Sequence, residues 1–318
     1  MRLRTLFLPG LFLLACETGA MRAQTSADPW FTLNKIGPGV WAAVDNPNAK
    51  QRSYANAGVV VGDDGVIVID TLTGDEAAGH FLGEIRKLTS LPLTFAVNTH
   101  YHGDHVAGNR VFSESGARIL AHRNVRGWIH AENLRMLGEK PNPDLRAFVE
   151  RFVAPTVSYT DAVDLFTGAR TVEVRSFPGH TGGDSVVIVP DARVVFMGDL
   201  LWRDMVPNTV DGSTAAWIQT LSALASKYAD YTFVPGHGGI SRAQDVIAFR
   251  DYLESVQKLV ADARAAGRTG DGVAQSVLPA LKANYGTWEG FEYLAPRNIA
   301  EADAEQSGKK RVPKPAAR

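Results

Sequence analysis

The chain has 318 residues, 45% of them hydrophobic, and a formal net charge of −1. That length allows a full hydrophobic core, in one large domain rather than two. The balanced charge provides no general attraction to nucleic acid or to an anionic membrane, so neither is expected as a partner.

The first residues look like targeting sequence. Arg2 and Arg4 precede an apolar run over residues 6–15, interrupted by Pro9 and Gly10. This is the layout of an export signal, and it is too short for a spanning helix, which needs about 20 apolar residues. Residues 1–27 are therefore expected to be a signal peptide and the mature protein to be periplasmic. Cys16 is the only cysteine and ends Leu13-Leu14-Ala15-Cys16, which resembles a bacterial lipobox. Lipid anchoring through Cys16 and cleavage further on, near Ala23 or Ala27, stand as alternatives. Either way the mature chain has no internal disulfide and no thiolate to offer a metal. No later segment reads as an integral membrane span, and the oligomeric state is left open.

Residues 39–44 are predicted as a strand, followed by a polar loop over 45–56. Residues 57–61 and 66–69 form a predicted hairpin around Asp63-Asp64-Gly65. Helical spacing covers 74–88, a short buried strand 93–97, a helix 104–112 and another strand 117–121. Residues 123–155 read as helix and loop. Strands return at 162–166 and 171–177, and a second hairpin pairs 185–189 with 194–197. A helix at 215–227, a strand at 231–234 and a long helix at 243–264 follow, with more helix from 273. Two batches of strands, each followed by helices, predict a layered α/β sandwich of two sheets faced by helices.

The chemistry concentrates in Thr99-His100-Tyr101-His102-Gly103-Asp104-His105, directly after a predicted buried strand. Positions two apart on an extended segment point the same way, so His100 and His102 can grip one ion together. Gly103 permits a turn, after which Asp104 and His105 face a neighbouring point. His180, Asp199 and His237 each follow a glycine at a predicted strand end, where loops can present side chains to a shared cleft. Such imidazoles and carboxylates suit a borderline-soft, redox-inert ion such as Zn²⁺. His80, His122 and His130 are expected to have packing or surface roles.

His-x-His-x-Asp-His, followed by His, Asp and His beside glycines, resembles the signature of the metallo-β-lactamase superfamily over about residues 40–237. The resemblance implies a four-layer αββα sandwich of two mixed sheets. It further implies that His100, His102 and His180 hold one zinc, that Asp104, His105 and His237 hold a second, and that Asp199 bridges them. Two zinc ions per subunit are thus expected, and Asp70, in Ile69-Asp70, would be a carboxylate supporting the metal loop. The division expected is a signal peptide over 1–27, a metallo-β-lactamase-like domain over 28–265, a helical extension over 266–305 and a disordered polar tail over 306–318.

The function expected is hydrolysis of a small-molecule ester, lactone, thioester or amide by a hydroxide shared between the two metals, with Asp104 as catalytic proton carrier. Trp202 and Arg203, after Asp199, are candidate substrate contacts, and residues 46–54 a candidate flap. β-Lactam hydrolysis remains an alternative. Against it, a bridging Asp looks more like the glyoxalase II and lactonase branches than the β-lactamases, which carry cysteine or serine at that position. A non-catalytic periplasmic metal-binding or accessory protein is the other alternative.

Overall fold

The computed structural model describes residues 30–314. The expected signal peptide and Cys16 lie outside the described residues. Two sheets form the centre. The first runs β1 (Phe31–Gly37), β2 (Val40–Asp45), β3 (Ala57–Val61), β4 (Val66–Ile69), β5 (Leu93–Asn98), β6 (Arg118–His122) and β7 (Val157–Tyr159), in that spatial order. Its first four strands pair antiparallel and the rest parallel. The second contains β8 (Ala162–Thr167), β9 (Arg170–Ser176), β10 (Ser185–Val189), β11 (Val194–Trp202) and β12 (Thr232–His237), in the order β12-β11-β10-β9-β8. Only β11 and β12 are parallel there.

The central strands are apolar on both faces because both faces are covered. In β3, Val60 points between the sheets, where Ile67, Val97, Val187, Val194 and Phe196 meet it, while Val59 points outward. The outward face of the first sheet packs on α1 (Asp75–Leu88) and α3 (Asn109–Glu114) through Phe81, Ile85 and Phe112. The outward face of the second packs on α7 (Thr214–Lys227) and α8 (Ala243–Ala265) through Trp217, Leu221, Phe249 and Val256. The result is four layers, helix on sheet on sheet on helix. Each fully buried Val, Leu, Ile or Phe contributes about 1.5–3 kcal/mol to holding them together.

Besides β7, which was not anticipated, four elements differ from the sequence reading. Strand β1 was not anticipated, because its burial is confined to Phe31 and its other residues alternate only weakly. The helix expected over 104–112 is divided into α2 (Gly103–Val106) and α3. At the break, a Cβ on Gly108 would lie 2.0 Å from the Thr71 carbonyl oxygen, so the chain passes too close to that strand end for any side chain. The loop expected as a flap is tied down: Ser53 Oγ and Tyr54 N both donate to Asp45, and Arg52 is paired with the same carboxylate.

The fourth difference is the tail. The C-terminal helices α9 (Asp271–Tyr285) and α10 (Phe291–Gln306) share one apolar cluster with α7 and α8. Beyond them, residues 309–314 are held at points, with Arg311 paired to Glu132, Lys310 bonded to the Thr209 carbonyl and Pro313 buried, while Lys309, Val312 and Lys314 are exposed. Polar composition suggested solvation there, but Lys310 and Arg311 find carbonyl and acidic partners. Among the described residues no helix is long and apolar enough to cross a membrane.

Candidate metal centre

The loops at one end of the sandwich bring seven side chains together. The turn after β5 supplies His100, His102, Asp104 and His105. The loop after β9 supplies His180, β11 supplies Asp199 and the end of β12 supplies His237. They form two adjoining groups, His100, His102, His180 and Asp199 in one and Asp104, His105 and His237 in the other. All are buried except Asp104, whose side chain is 31% exposed. The resemblance implied His100, His102 and His180 on one ion and Asp104, His105 and His237 on another, with Asp199 bridging them.

Asp199 lies between the groups. Its Oδ2 is 3.3 Å from His180 Nε2 and 3.6 Å from His100 Nε2, while its Oδ1 is 3.0 Å from His105 Nε2 and 3.2 Å from His237 Nε2. Asp104 Oδ2 is 3.4 Å from His237 Nε2 and 3.7 Å from His105 Nε2. His102 enters the first group through Nδ1, 2.9 Å from His180 Nε2.

These separations fit metal ligands. Tetrahedral zinc with bonds of about 2.0–2.1 Å places its donor atoms about 3.3 Å apart. Several of the atoms are near one another yet not aligned as hydrogen bonds. Nε2 of His100, His102, His105 and His237, Nδ1 of His180 and Oδ1 of Asp199 are buried with no hydrogen-bond partner, and no other described side chain has such an atom. Orphaned buried polar atoms cost about 1–3 kcal/mol each, and four of these, Nε2 of His100, His105 and His237 and Oδ1 of Asp199, lie within the cluster, so that set calls for a cation. The donors are imidazole and carboxylate throughout, which suits zinc.

Three of the rings are also held from behind. His105 Nδ1 is 2.8 Å from Asp70 Oδ2, and the same carboxylate accepts from Thr99 N and Oγ1 at 2.8 Å each. His237 Nδ1 donates to the Tyr54 carbonyl at 2.8 Å, and His100 Nδ1 sits 3.1 Å from Thr99 Oγ1. Asp70 and Tyr54 have φ of 56° and 60°, a strained left-handed conformation that costs about 1–2 kcal/mol for a non-glycine residue. Both strained residues thus orient a histidine of the cluster.

The charges are strongly coupled. Burial lowers the His100 pKa well below the ordinary value and that of His180 to about 3. For His105, burial also lowers the pKa, but the carboxylates of Asp199, Asp104 and Asp70 outweigh it and leave the ring well above its usual value. Burial opposed by Asp199 has the same net result at His237, which is raised. Asp199 is held well below the carboxylate range because His237, His105 and His100 overcome its burial.

Two candidate substrate contacts are taken up by the protein itself. Trp202 is 9% exposed, stacks on His237 and donates Nε1–H to the Asp199 carbonyl at 3.1 Å. Arg203 donates to the Ile240 carbonyl and lies 3.5 Å from Asp245, at the start of α8. The remaining histidines serve the fold: His122 accepts from Asn124 N at the start of α4 (Arg123–Trp128), His130 bonds the Phe152 carbonyl, and His80 packs edge-on against Phe31. Asp211, 3.6 Å from His102 Nε2, was missed. It sits in Val210-Asp211-Gly212, which reads as an ordinary turn, and no spacing ties it to the histidines.

Comparison with known proteins agrees with this geometry. Residues 51–237 match the metallo-beta-lactamase superfamily domain. A linear primary-alkylsulfatase from a Pseudomonas species is 25% identical over 235 residues, covering 63% of this chain and 43% of that protein. A hydroxyacylglutathione hydrolase from Brucella ovis is 30% identical over 146 residues, 46% of this chain and 48% of that protein. The chain thus spans about half the length of the curated relatives it matches. A solved metallo-beta-lactamase from Pontibacter korlensis superposes with a TM-score of 0.58 at 22% identity, over 70% of this chain and 99% of that one, which supports the fold. With the fold, the two adjoining ligand groups and a matching segment that covers more than half its length, the chain belongs to the metallo-beta-lactamase superfamily.

Proposed function

We propose that this protein is a dinuclear zinc hydrolase that cleaves a small-molecule ester, lactone, thioester or amide. The observation that carries the reading is Asp199, whose two oxygens face different ligand groups. A pair of bound zinc ions would lower the pKa of water to about 7 and polarise a substrate oxygen.

The chain's own residues would do the rest. Asp199 sets the distance between the two groups. Asp70, Thr99 and Tyr54 fix ring orientations, so little reorganisation is needed during turnover. Asp104 is the one partly exposed member of the cluster and therefore stands where water and substrate arrive. Its carboxylate can take the proton released as water adds to the carbonyl and return it to the leaving oxygen, sulfur or nitrogen. Water is consumed, the acyl bond breaks, and an acid and an alcohol, thiol or amine leave. The basic and apolar start of the chain supports placing this chemistry outside the cytoplasm.

A second reading has its own support: the alkylsulfatase relative aligns over more of this chain than the hydroxyacylglutathione hydrolase does. On that reading the bond broken belongs to a sulfate ester. Zinc-loaded protein tested against aryl esters, lactones, S-acyl glutathiones, β-lactams and primary alkyl sulfates separates the two. Acyl turnover that disappears in Asp199→Ala is expected. Turnover of alkyl sulfates alone favours the second reading, and no turnover above the Asp199→Ala background on any of them defeats both.

A further inference from the structure

Of the five histidines in the cluster, His102 is the one that presents Nδ1 to its group. The other four direct Nε2 towards Asp199. Behind His102 lies a charge relay outside the ligand set. Asp211, 1% exposed, places Oδ2 3.6 Å from His102 Nε2 and accepts the Tyr101 hydroxyl at 2.5 Å. Its Oδ1 accepts from Arg135 at 2.5 Å. Arg135 also donates to Glu132 at 2.6 Å, and Glu132 takes both terminal nitrogens of Arg311, at 3.0 and 2.9 Å. Glu132 and Arg135 lie on α5 (Ala131–Met136), and Arg311 lies beyond α10 in the tail.

The tail is fastened on both sides of this relay. Lys310 Nζ donates to the Thr209 carbonyl at 2.6 Å, two residues before Asp211. Trp128 Nε1 donates to the Lys314 carbonyl at 2.7 Å, and the Trp128 ring meets Tyr101 edge-on at 5.7 Å. A buried carboxylate is stable only when paired and hydrogen-bonded, so Asp211 depends on Arg135 and Tyr101. Arg135 is in turn oriented by Glu132, and Glu132 by Arg311. A carboxylate facing Nε2 favours the proton on that nitrogen and leaves the Nδ1 lone pair for the metal.

We infer that Asp211 is a positioning residue that assigns Nδ1 of His102 to the metal, and that the C-terminal strap, residues 309–314, sustains it through Arg311, Glu132 and Arg135. The inference rests on the zinc reading above and concerns how one of the two ions is held.

The test uses the full chain, zinc alone and a competing chelator of known affinity. Long-range ¹H–¹⁵N spectra of histidine-labelled protein then report which ring nitrogen binds. Wild type is expected to take two ions, with one Nδ1-bound histidine that disappears in His102→Ala. Asp211→Asn is expected to weaken one ion by about 10- to 100-fold, to leave the other nearly unchanged and to blur the His102 signature. Arg311→Ala, at an exposed position that leaves the core intact, should weaken the same ion by roughly 3- to 10-fold. Unchanged affinities and spectra in both variants overturn the inference, as does equal weakening of the two ions. If wild type takes up no zinc, the metal reading itself has failed, and that result is distinct from the others.

Discussion

Trp202 lies nearly flat on His237, with ring centroids 3.9 Å apart and planes inclined by 27°. The indole also donates to the Asp199 carbonyl, so one side chain braces two members of the cluster. Its role is therefore to hold the site in shape. Trp202→Ala should destabilise the fold by about 3–5 kcal/mol, as expected for a buried tryptophan. Trp202→Phe keeps a ring over His237 but abandons the carbonyl, at a cost of about 1–2 kcal/mol. Urea unfolding and zinc content by mass spectrometry check both. A Trp202→Phe protein with wild-type stability and an altered KM alone would restore the substrate-contact reading.

Two glycines should respond to alanine with opposite signs. A Cβ on Gly236 would lie 2.0 Å from Asp199 Oδ1, so Gly236→Ala must push the central carboxylate aside. Zinc affinity is expected to fall by about 10-fold or more, as when outer supports of a site are lost. Gly79, within α1, has nothing within 4 Å of its added Cβ. Gly79→Ala should raise stability by about 0.5–1 kcal/mol, because alanine is the better helix former. Chelator competition and thermal melts measure the two effects. Full zinc affinity in Gly236→Ala would show that the strand ends can yield.

The sequence was most informative where periodicity and ligand chemistry coincide. Residues 57–61 and 66–69 were legible as a hairpin, and Val59 and Val60, both apolar, sit on opposite faces of β3 as befits a strand covered on two sides. The seven ligand candidates were legible because imidazoles beside glycines at strand ends have few structural uses. Asp211 was not legible, since its value depends on Arg135 and Arg311, which lie 76 residues before it in sequence and beyond α10 respectively. Tyr54 acts through its backbone carbonyl, which no side-chain pattern reveals. The intramolecular partners of Trp202 and Arg203 were not legible for a related reason: proximity to Asp199 in sequence says nothing about which side of the strand end they serve.

Zinc uptake should release protons. In His105 and His237 burial lowers the pKa, but neighbouring carboxylates outweigh it, so the metal-free protein keeps protons on these rings to higher pH than a free imidazole would. A ring must be neutral to bind metal, so each protonated one gives up its proton on binding. Apparent affinity therefore rises as pH rises through these values and falls towards acid. Calorimetry in two buffers with different ionisation enthalpies reads the proton count directly. Identical heats in the two buffers would mean that these rings are already neutral.

The pairing of Glu132 with Arg311 gives a stability term with a defined pH window. Burial raises the Glu132 pKa, but the hydrogen bonds from Arg311 and Arg135 outweigh it, and the folded value lies below the ordinary 4.5. For a lowered carboxylate, stability is present in full above the unfolded pKa and is lost as pH falls through the folded one. The Arg311 side chain is 53% exposed and that of Glu132 9%, so solvent screens one partner. A double-mutant cycle of Glu132→Gln and Arg311→Ala should give a coupling of about 1 kcal/mol at pH 7. That coupling should begin to fall near pH 4.5 and disappear in stronger acid, as followed by urea midpoints across the range. Zero coupling at pH 7 would mean that the tail is held by Lys310 and Trp128 without help from Arg311. The strap would then close over the molecule without reaching Asp211.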